Sequence, residues 1–202
     1  MANVCGMARA REFDTEAAVA AATEVFRGRG YEATSIQDLV EATGIGRGSL
    51  YAAFGSKDGL YEAALRHYAT KSGALMAVRL DRDEPVREVL RHLLLALVDD
   101  TVGDPERRGC LMTNTAVERL PGDAVAARIV GGSLDRIAEL VEAALRKGRE
   151  RGELPQDADV TALADFVTTT IQGLRVLGKA GADRRRLVAV VDAALRALPL
   201  PG

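Results

Sequence analysis

Arg47, Ser49, Tyr51 and Lys57 lie in a stretch that holds no acidic residue between Glu41 and Asp58. Two cations, a hydroxyl and a phenol without neighbouring carboxylates suit a polyanion. Cations neutralise phosphate oxygens, and polar side chains donate to phosphate or to base edges. Ser56 stands just before Lys57 and can cap the helix that follows, which adds the positive end of a helix dipole to the same stretch.

These residues need a pair of helices to present them. Over 34–54, TSIQDLVEATGIGRGSLYAAF, Ile36, Leu39 and Val40 fall on one helical face, and Ile45, Leu50 and Ala53 form a second short one. Gly44 stands between them where a sharp turn needs positive φ. This is the pattern of a helix-turn-helix, two short helices crossing steeply over a shared core, each too short to persist alone. The spacing predicts Thr34 as the first N-cap, in a capping box with Gln37. The second helix, 47–54, then carries Arg47, Gly48, Ser49 and Tyr51 on the side the core does not need, and a major groove admits such a helix. An ordinary helical hairpin with solvated charges has the same spacing. The residues alone leave both readings open.

The run over 34–65, TSIQDLVEATGIGRGSLYAAFGSKDGLYEAAL, resembles the DNA-binding domain of the TetR family of transcriptional regulators. The resemblance is carried by the Thr-led cap, the Gly44 and Ile45 turn, the Gly48-Ser49-Leu50-Tyr51 helix, Phe54, and the Ser56-Lys57 start of a long linking helix. It implies DNA contacts from Thr34, Ser35, Arg47, Ser49, Tyr51 and Lys57, with Gly48 on the same helix. It also implies a dimeric repressor that occupies a palindromic operator and is released by a small apolar or amphipathic effector. Two departures stand out. Gly46 replaces the Ser usual at the start of the recognition helix, a loss of a few tenths of a kcal/mol for an N-cap. Ala52 and Ala53 stand where bulkier residues are common, so no contact is carried over from either.

Composition agrees with an all-α protein. Among 202 residues, 48% are apolar and 28% charged, with four Tyr, four Phe and no Trp, and Ala, Leu, Arg and Glu are abundant. The net charge of −2 gives no hint of nucleic acid, and residues 1–58 hold six basic against eight acidic side chains. A local basic face still binds phosphate, because a Debye length of about 8 Å limits how far distant carboxylates act. Two cysteines, Cys5 and Cys110, are too few for a disulfide framework, so a reducing cytoplasm is expected. Apolar runs such as 93–98 fall far short of the roughly 20 residues a membrane span requires, and the start of the chain has no signal-peptide pattern.

In chain order, 1–12 reads as a flexible leader whose Arg9 and Arg11 are solvated, 13–55 as the DNA reader, 56–80 as a linking helix, and 81–202 as an effector-binding and dimerisation domain. Asp14 or Thr15 caps the first helix, with Phe13 as a staple and Gly28 or Gly30 as its end. Helices follow over about 85–102, 109–120, 123–151, 159–179 and 183–198, separated by Asp104-Pro105 and by the loop GELPQDAD at 152–159. The run 187–191, LVAVV, is apolar nearly all round and needs cover on two sides, so a second subunit is expected to pack there, with the last two helices of each chain forming a four-helix bundle.

Other constellations carry little. The stretch 173–180 nearly matches a phosphate-binding loop, but Ala180 stands where a Ser or Thr must hold Mg²⁺, and a helix precedes it instead of a strand. His67 and His92 are at no metal-ligand spacing from Cys110 or from each other, so neither a metal nor a cofactor is expected and Cys110 reads as a buried structural thiol. No Ser, His and acid grouping points to an enzyme, although a helical enzyme whose groups converge only in the fold remains a rival. A DNA-binding regulator that needs no ligand is another. Met112, Asn114, Thr168, Thr169 and Gln172 are adaptable or polar residues on helices expected to flank a mostly apolar cavity, and they form the candidate effector set.

Overall fold

The chain's architecture was taken from a computed structural model, which describes residues 14–200; Cys5, Arg9, Arg11 and Phe13 lie outside them. Short acidic side chains set several helix starts. Asp14, Asp123, Asp159 and Asp183 each accept one or two free backbone amides in the first turn of the helix that follows. Among the described residues the chain forms nine helices and no strand: α1 (Thr15–Arg29), α2 (Ile36–Thr43), α3 (Arg47–Phe54), α4 (Lys57–Leu80), α5 (Val86–Val102), α6 (Leu111–Arg119), α7 (Ala124–Glu150), α8 (Val160–Lys179) and α9 (Arg184–Ala197). None of these helices is long and apolar enough to cross a membrane.

The start of α2 differs from expectation by one residue. Ser35, not Thr34, is the N-cap: its hydroxyl accepts the Asp38 amide at 3.1 Å, and the Asp38 carboxylate accepts the Ser35 amide at 2.8 Å. An ionised carboxylate at the third helical position makes a stronger reciprocal bond than an amide side chain. Gln37 turns instead to Glu41, 2.9 Å away. Thr34 is buried, and its hydroxyl donates to the Gly30 carbonyl at 2.6 Å. Gly44 ends α2 in the left-handed region at φ 68°, as the turn requires.

Two apolar clusters hold the molecule, and they do not divide at residue 80. The first joins Phe26, Tyr31, Leu39, Ile45 and Leu50 of the reader to Leu60, Tyr61 and Leu65 of α4. It also takes in Cys110, Leu111 and Met112 at the start of α6, and Ala126 and Val130 of α7. The second gathers α5, α7, α8 and α9 around Leu90, Leu93, Ile137, Ile171 and Leu187, with Met76 and Leu80 from the far end of α4. The linking helix is thus anchored in one core at its start and in the other at its end. Close helix contact in the second cluster depends on Gly178. A Cβ there would lie 1.9 Å from a methyl of Thr101, so α5 and α8 approach as they do only because position 178 has no side chain.

Two further expectations are corrected. Ala53, read as part of the second apolar face, is exposed, and Leu50 and Ile45 carry that face with half-buried Phe54. Leu187 and Val191 of α9 are fully buried inside their own protomer, while Val188 and Val190 are half-buried and Ala189 is exposed. Much of the cover that the 187–191 run requires comes from α5 and α8. The apolar and small residues left outside lie on α8, where Ala162, Phe166, Thr169, Gly173 and Val176 are all exposed at helical spacing.

Candidate nucleic-acid interface and regulatory cleft

Helix α3 is held to the reader by Leu50 and half-buried Phe54, and every other position of its eight residues is exposed. Arg47, Gly48, Ser49 and Tyr51 are therefore presented outward. Arg47 has no carboxylate within ion-pair distance among the described residues, so its guanidinium is available. Gly46 begins the helix without a side-chain cap bond, which leaves the first amides of α3 open. Ser35 is exposed at the start of α2, with its hydroxyl engaged in the capping box. Its Asp38 partner is held below the usual carboxylate range by the Ser35 amide and hydroxyl and then by Arg29. Thr34 differs from the rest, because its side chain is spent inside the protein.

Lys57 opens α4 directly after the Ser56 cap, whose hydroxyl accepts the Gly59 amide at 3.1 Å. The Lys57 ammonium lies 4.1 Å from the centre of the Tyr31 ring, and the Arg119 guanidinium lies 3.9 Å from it. The Tyr31 hydroxyl donates to Asp58 at 2.6 Å. Burial, then the bond and charge of Asp58, push its phenol up to about 12. Tyr31 is thus a fixed neutral ring that positions two cations at the joint between the reader, α4 and α6.

A cleft of about 660 Å³ is bounded by α1, α4, α5, the 103–110 turn and α8. It lies apart from the candidate effector set, and its wall is more charged than the mostly apolar cavity expected from the sequence. None of Met112, Asn114, Thr168, Thr169 and Gln172 lines it. Met112 is buried in the reader's cluster, because α6 packs toward α1 and α4. Asn114 donates to the Arg27 and Arg108 carbonyls at 3.1 and 2.9 Å and accepts Lys179 at 2.9 Å, so it is a strut under the cleft wall. Thr169 is exposed. Thr168 Oγ1 and Gln172 Nε2 are buried without a partner among the described residues, while Gln172 Oε1 accepts Thr113 at 2.9 Å.

The cleft wall is charged. Arg27 pairs with Asp104 at 2.9 Å and donates to the Gly109 carbonyl, and Arg108 pairs with Asp104 and Glu24 at 3.1 and 2.8 Å. Arg79 pairs with Asp100 at 2.7 Å through one terminal nitrogen and leaves the other, buried, without a partner among the described residues. Arg175 donates to Cys110 Sγ at 3.3 Å. Burial pushes the Cys110 thiol up, but Arg175, Thr113 and Tyr68 outweigh it and hold the thiol below its ordinary value. Tyr68, Leu75, Met76 and Leu97 supply the apolar part of the lining. These residues come from five separated segments, which is why sequence spacing did not mark them. The available signal was Arg175 and Lys179, the two cations of α8, four residues apart. No group of His, Cys, Asp and Glu among the described residues has the arrangement of a metal site.

An all-α fold with an exposed short helix after a tight turn, a long linking helix and a cleft along the second half of that linking helix has the layout of a helix-turn-helix DNA-binding regulator. Comparison with known proteins agrees. The family model for bacterial regulatory proteins of the tetR family matches residues 18–64, and that for the tetracyclin repressor-like C-terminal domain matches 88–194. The chain belongs to the TetR family. It is 34% identical over 194 residues to the HTH-type transcriptional regulator YezE of Bacillus subtilis strain 168, covering 95% of this chain and 100% of that protein. It is 32% identical over 192 residues to the HTH-type transcriptional repressor ComR of Escherichia coli K12, covering 95% and 91%. A cysteine-substituted form of the TetR family regulator CifR, solved with 26-bp double-strand operator DNA, is 38% identical with a TM-score of 0.85, covering 95% of this chain and 100% of that one. The protein is a DNA-binding transcriptional regulator of this family.

Proposed function

We propose that this protein is a cytoplasmic homodimeric repressor that grips operator DNA through Ser35, Arg47, Gly48, Ser49, Tyr51 and Lys57 and is released when a small molecule enters the charged cleft. The observation that carries this reading is the position of the cleft: its wall includes α1 of the reader, the second half of α4 from His67 to Arg79, and α5 and α8 of the second cluster. An occupant that favours one spacing of these elements shifts the reader, and a dimer must match half-sites about 34 Å apart or a multiple of that. The two-fold contact is assigned to the exposed α8 stripe with the outer side of α9, where two subunits build a four-helix bundle.

The test is a thermal-stabilisation screen of small molecules, with each hit carried into fluorescence anisotropy on DNA from upstream of the protein's own gene. Coupling of the usual size lowers operator affinity by about 5 to 150-fold. Occupants that stabilise the protein through cleft residues yet leave operator affinity unchanged overturn the reading.

Cys110 favours a second reading, because its thiol lines the cleft and is held below its ordinary value. In that case the occupant is an electrophile such as an α,β-unsaturated carbonyl, which takes the thiolate at its β-carbon and a proton at its α-carbon. Intact-mass measurement on wild type and Cys110→Ser, alongside operator release, separates covalent from reversible occupancy.

A further inference from the structure

We propose that the occupant of the cleft is a small organic anion, a carboxylate with a short apolar body. This rests on the cleft being the regulatory site. Three observations carry the charge of the ligand. The cleft is lined by seven Lys and Arg side chains against three carboxylates, in a protein whose net charge is −2. Cations are therefore concentrated here against the balance of the whole chain.

The second observation is which of those cations are already neutralised. Arg27 and Arg108 share Asp104 and Glu24, and Arg79 holds Asp100. Arg175 meets no carboxylate among the described residues and donates to Cys110 Sγ at 3.3 Å and Gln172 Oε1 at 3.5 Å. Lys179 likewise meets only the Asn114 side-chain oxygen at 2.9 Å and the Arg108 carbonyl at 3.4 Å. Arg107 has no ion-pair partner among the described residues, and it is held at φ 50°, outside the conformations a non-glycine residue normally adopts. Three cations converge on the α8 and 103–110 side without a counter-charge. Arg175 is half-buried and Arg107 and Lys179 are exposed, so a bound carboxylate takes charge-assisted bonds from donors that water otherwise solvates.

The third observation is the unpartnered, buried Arg79 nitrogen, a donor on the cleft wall with nothing among the described residues to accept it. Opposite in chemistry are Leu75, Met76 and Leu97, with the Tyr68 ring, which give α4 and α5 an apolar surface. A ligand with an acidic head for the Arg175 and Lys179 side and an apolar body for the α4 and α5 side uses both.

Such an anion also acts on the joint with the reader. Arg27 and Glu24 belong to α1, and their bonds to Asp104, Arg108 and Gly109 tie that helix to the 103–110 turn. A carboxylate that draws Lys179 away from Asn114 and the Arg108 carbonyl loosens the support of that tie, because Asn114 holds the Arg27 and Arg108 carbonyls. Release from DNA follows from competition between the ligand carboxylate and these neutral acceptors for Lys179.

The experiment uses the full chain and matched probes: octanoate against octanamide, benzoate against benzamide, and inorganic phosphate alone. Thermal shift and calorimetry are run on wild type, on the Arg175→Gln Lys179→Gln double variant, and on Arg175→Lys, which keeps the charge. The expected result is binding of at least one carboxylate, at least tenfold weaker binding of its amide, loss of at least tenfold in the double variant and retention in Arg175→Lys. Phosphate alone binds weakly, because it lacks the apolar body. Amides that bind as well as carboxylates, a double variant that folds and binds undiminished, or no binding by any carboxylate overturns the proposal. Phosphate binding as tightly as the carboxylates overturns the apolar body. A neutral ligand that occupies the cleft and lowers operator affinity defeats the anion while leaving the regulatory reading in place. Carboxylate binding without any effect on operator affinity does the reverse.

Discussion

The Glu118 carboxylate of α6 accepts the Tyr31 backbone amide at 2.9 Å, and its second oxygen accepts the next amide, that of Glu32, at the same distance. One side chain from outside the reader thus satisfies two consecutive donors in the turn between α1 and α2. With Arg119 against the Tyr31 ring and Tyr61 bonded to Thr115 at 2.8 Å, α6 joins α4 and the 103–110 turn in holding the DNA-binding helices.

Glu118→Ala should therefore destabilise the protein by about 1 to 3 kcal/mol, the cost of leaving donors without their charged acceptor. Hydrogen exchange at the Tyr31 and Glu32 amides should rise more than at α8. Unchanged exchange in that turn would show that water replaces Glu118 without loss.

Asp104 gives a pH dependence of known sign. Burial pushes its carboxyl up, but the side chain and amide of Arg108, and then Arg27, outweigh this and hold it below the usual range. A carboxyl depressed in the folded state contributes stability that is complete above its ordinary pKa, about 4, and is lost as pH falls through the depressed value. Asp104→Asn should be less stable than wild type at neutral pH, and the gap in melting temperature should narrow only as pH falls below the ordinary carboxylate range. A gap independent of pH would remove the ion pairs from the joint.

Two glycines in helices should respond to alanine with opposite signs. Gly178→Ala forces α5 and α8 apart and should cost about 1 to 3 kcal/mol, as overpacking does. Gly132→Ala, on α7 with nothing near its added Cβ, should gain roughly 0.5 to 1 kcal/mol from helix preference. Denaturant midpoints of the two variants decide this, and equal shifts would contradict it.

At the proposed two-fold interface, Phe166→Glu and Val176→Glu change side chains that are 41% and 51% exposed in the protomer. They should leave a folded protein that sediments as a monomer. Val191→Glu, whose site is wholly buried within the protomer, should unfold it instead. A wild-type chain that is already monomeric at micromolar concentration would remove α8 from any interface.

Local signals were legible in the sequence and long-range charge was not. Helix starts at Asp123, Asp159 and Asp183, and the Gly44 turn, follow from chemistry within a few residues. The choice between Thr34 and Ser35 turned on which acceptor, Asp38 or Gln37, competes better, a difference that spacing does not express. Periodicity identified Leu187 and Val191 as needing cover but not whose, since an apolar run reads the same against α5 or against a second subunit. The cleft was hidden for a related reason: polar residues inside apolar helices stood out, whereas Thr168 and Gln172 carry buried polar atoms outside the cleft lining, which is assembled from α1, α4, α5, α8 and the 103–110 turn. Arg79 and Arg175 look like ordinary solvated charges until those segments converge.

Operator affinity as a function of salt is the most direct measurement of the central claim that the α3 surface and Lys57 form the DNA interface. Fluorescence anisotropy on DNA from upstream of the protein's own gene should give a steep loss of affinity with salt for wild type. Lys57→Ala should flatten the log-log slope by about one unit, as expected when one phosphate contact is lost. Arg47→Ala should cost about 1 to 3 kcal/mol if its guanidinium reads guanine in the major groove. Wild-type affinity and slope retained in both variants would contradict the assignment of this surface to DNA.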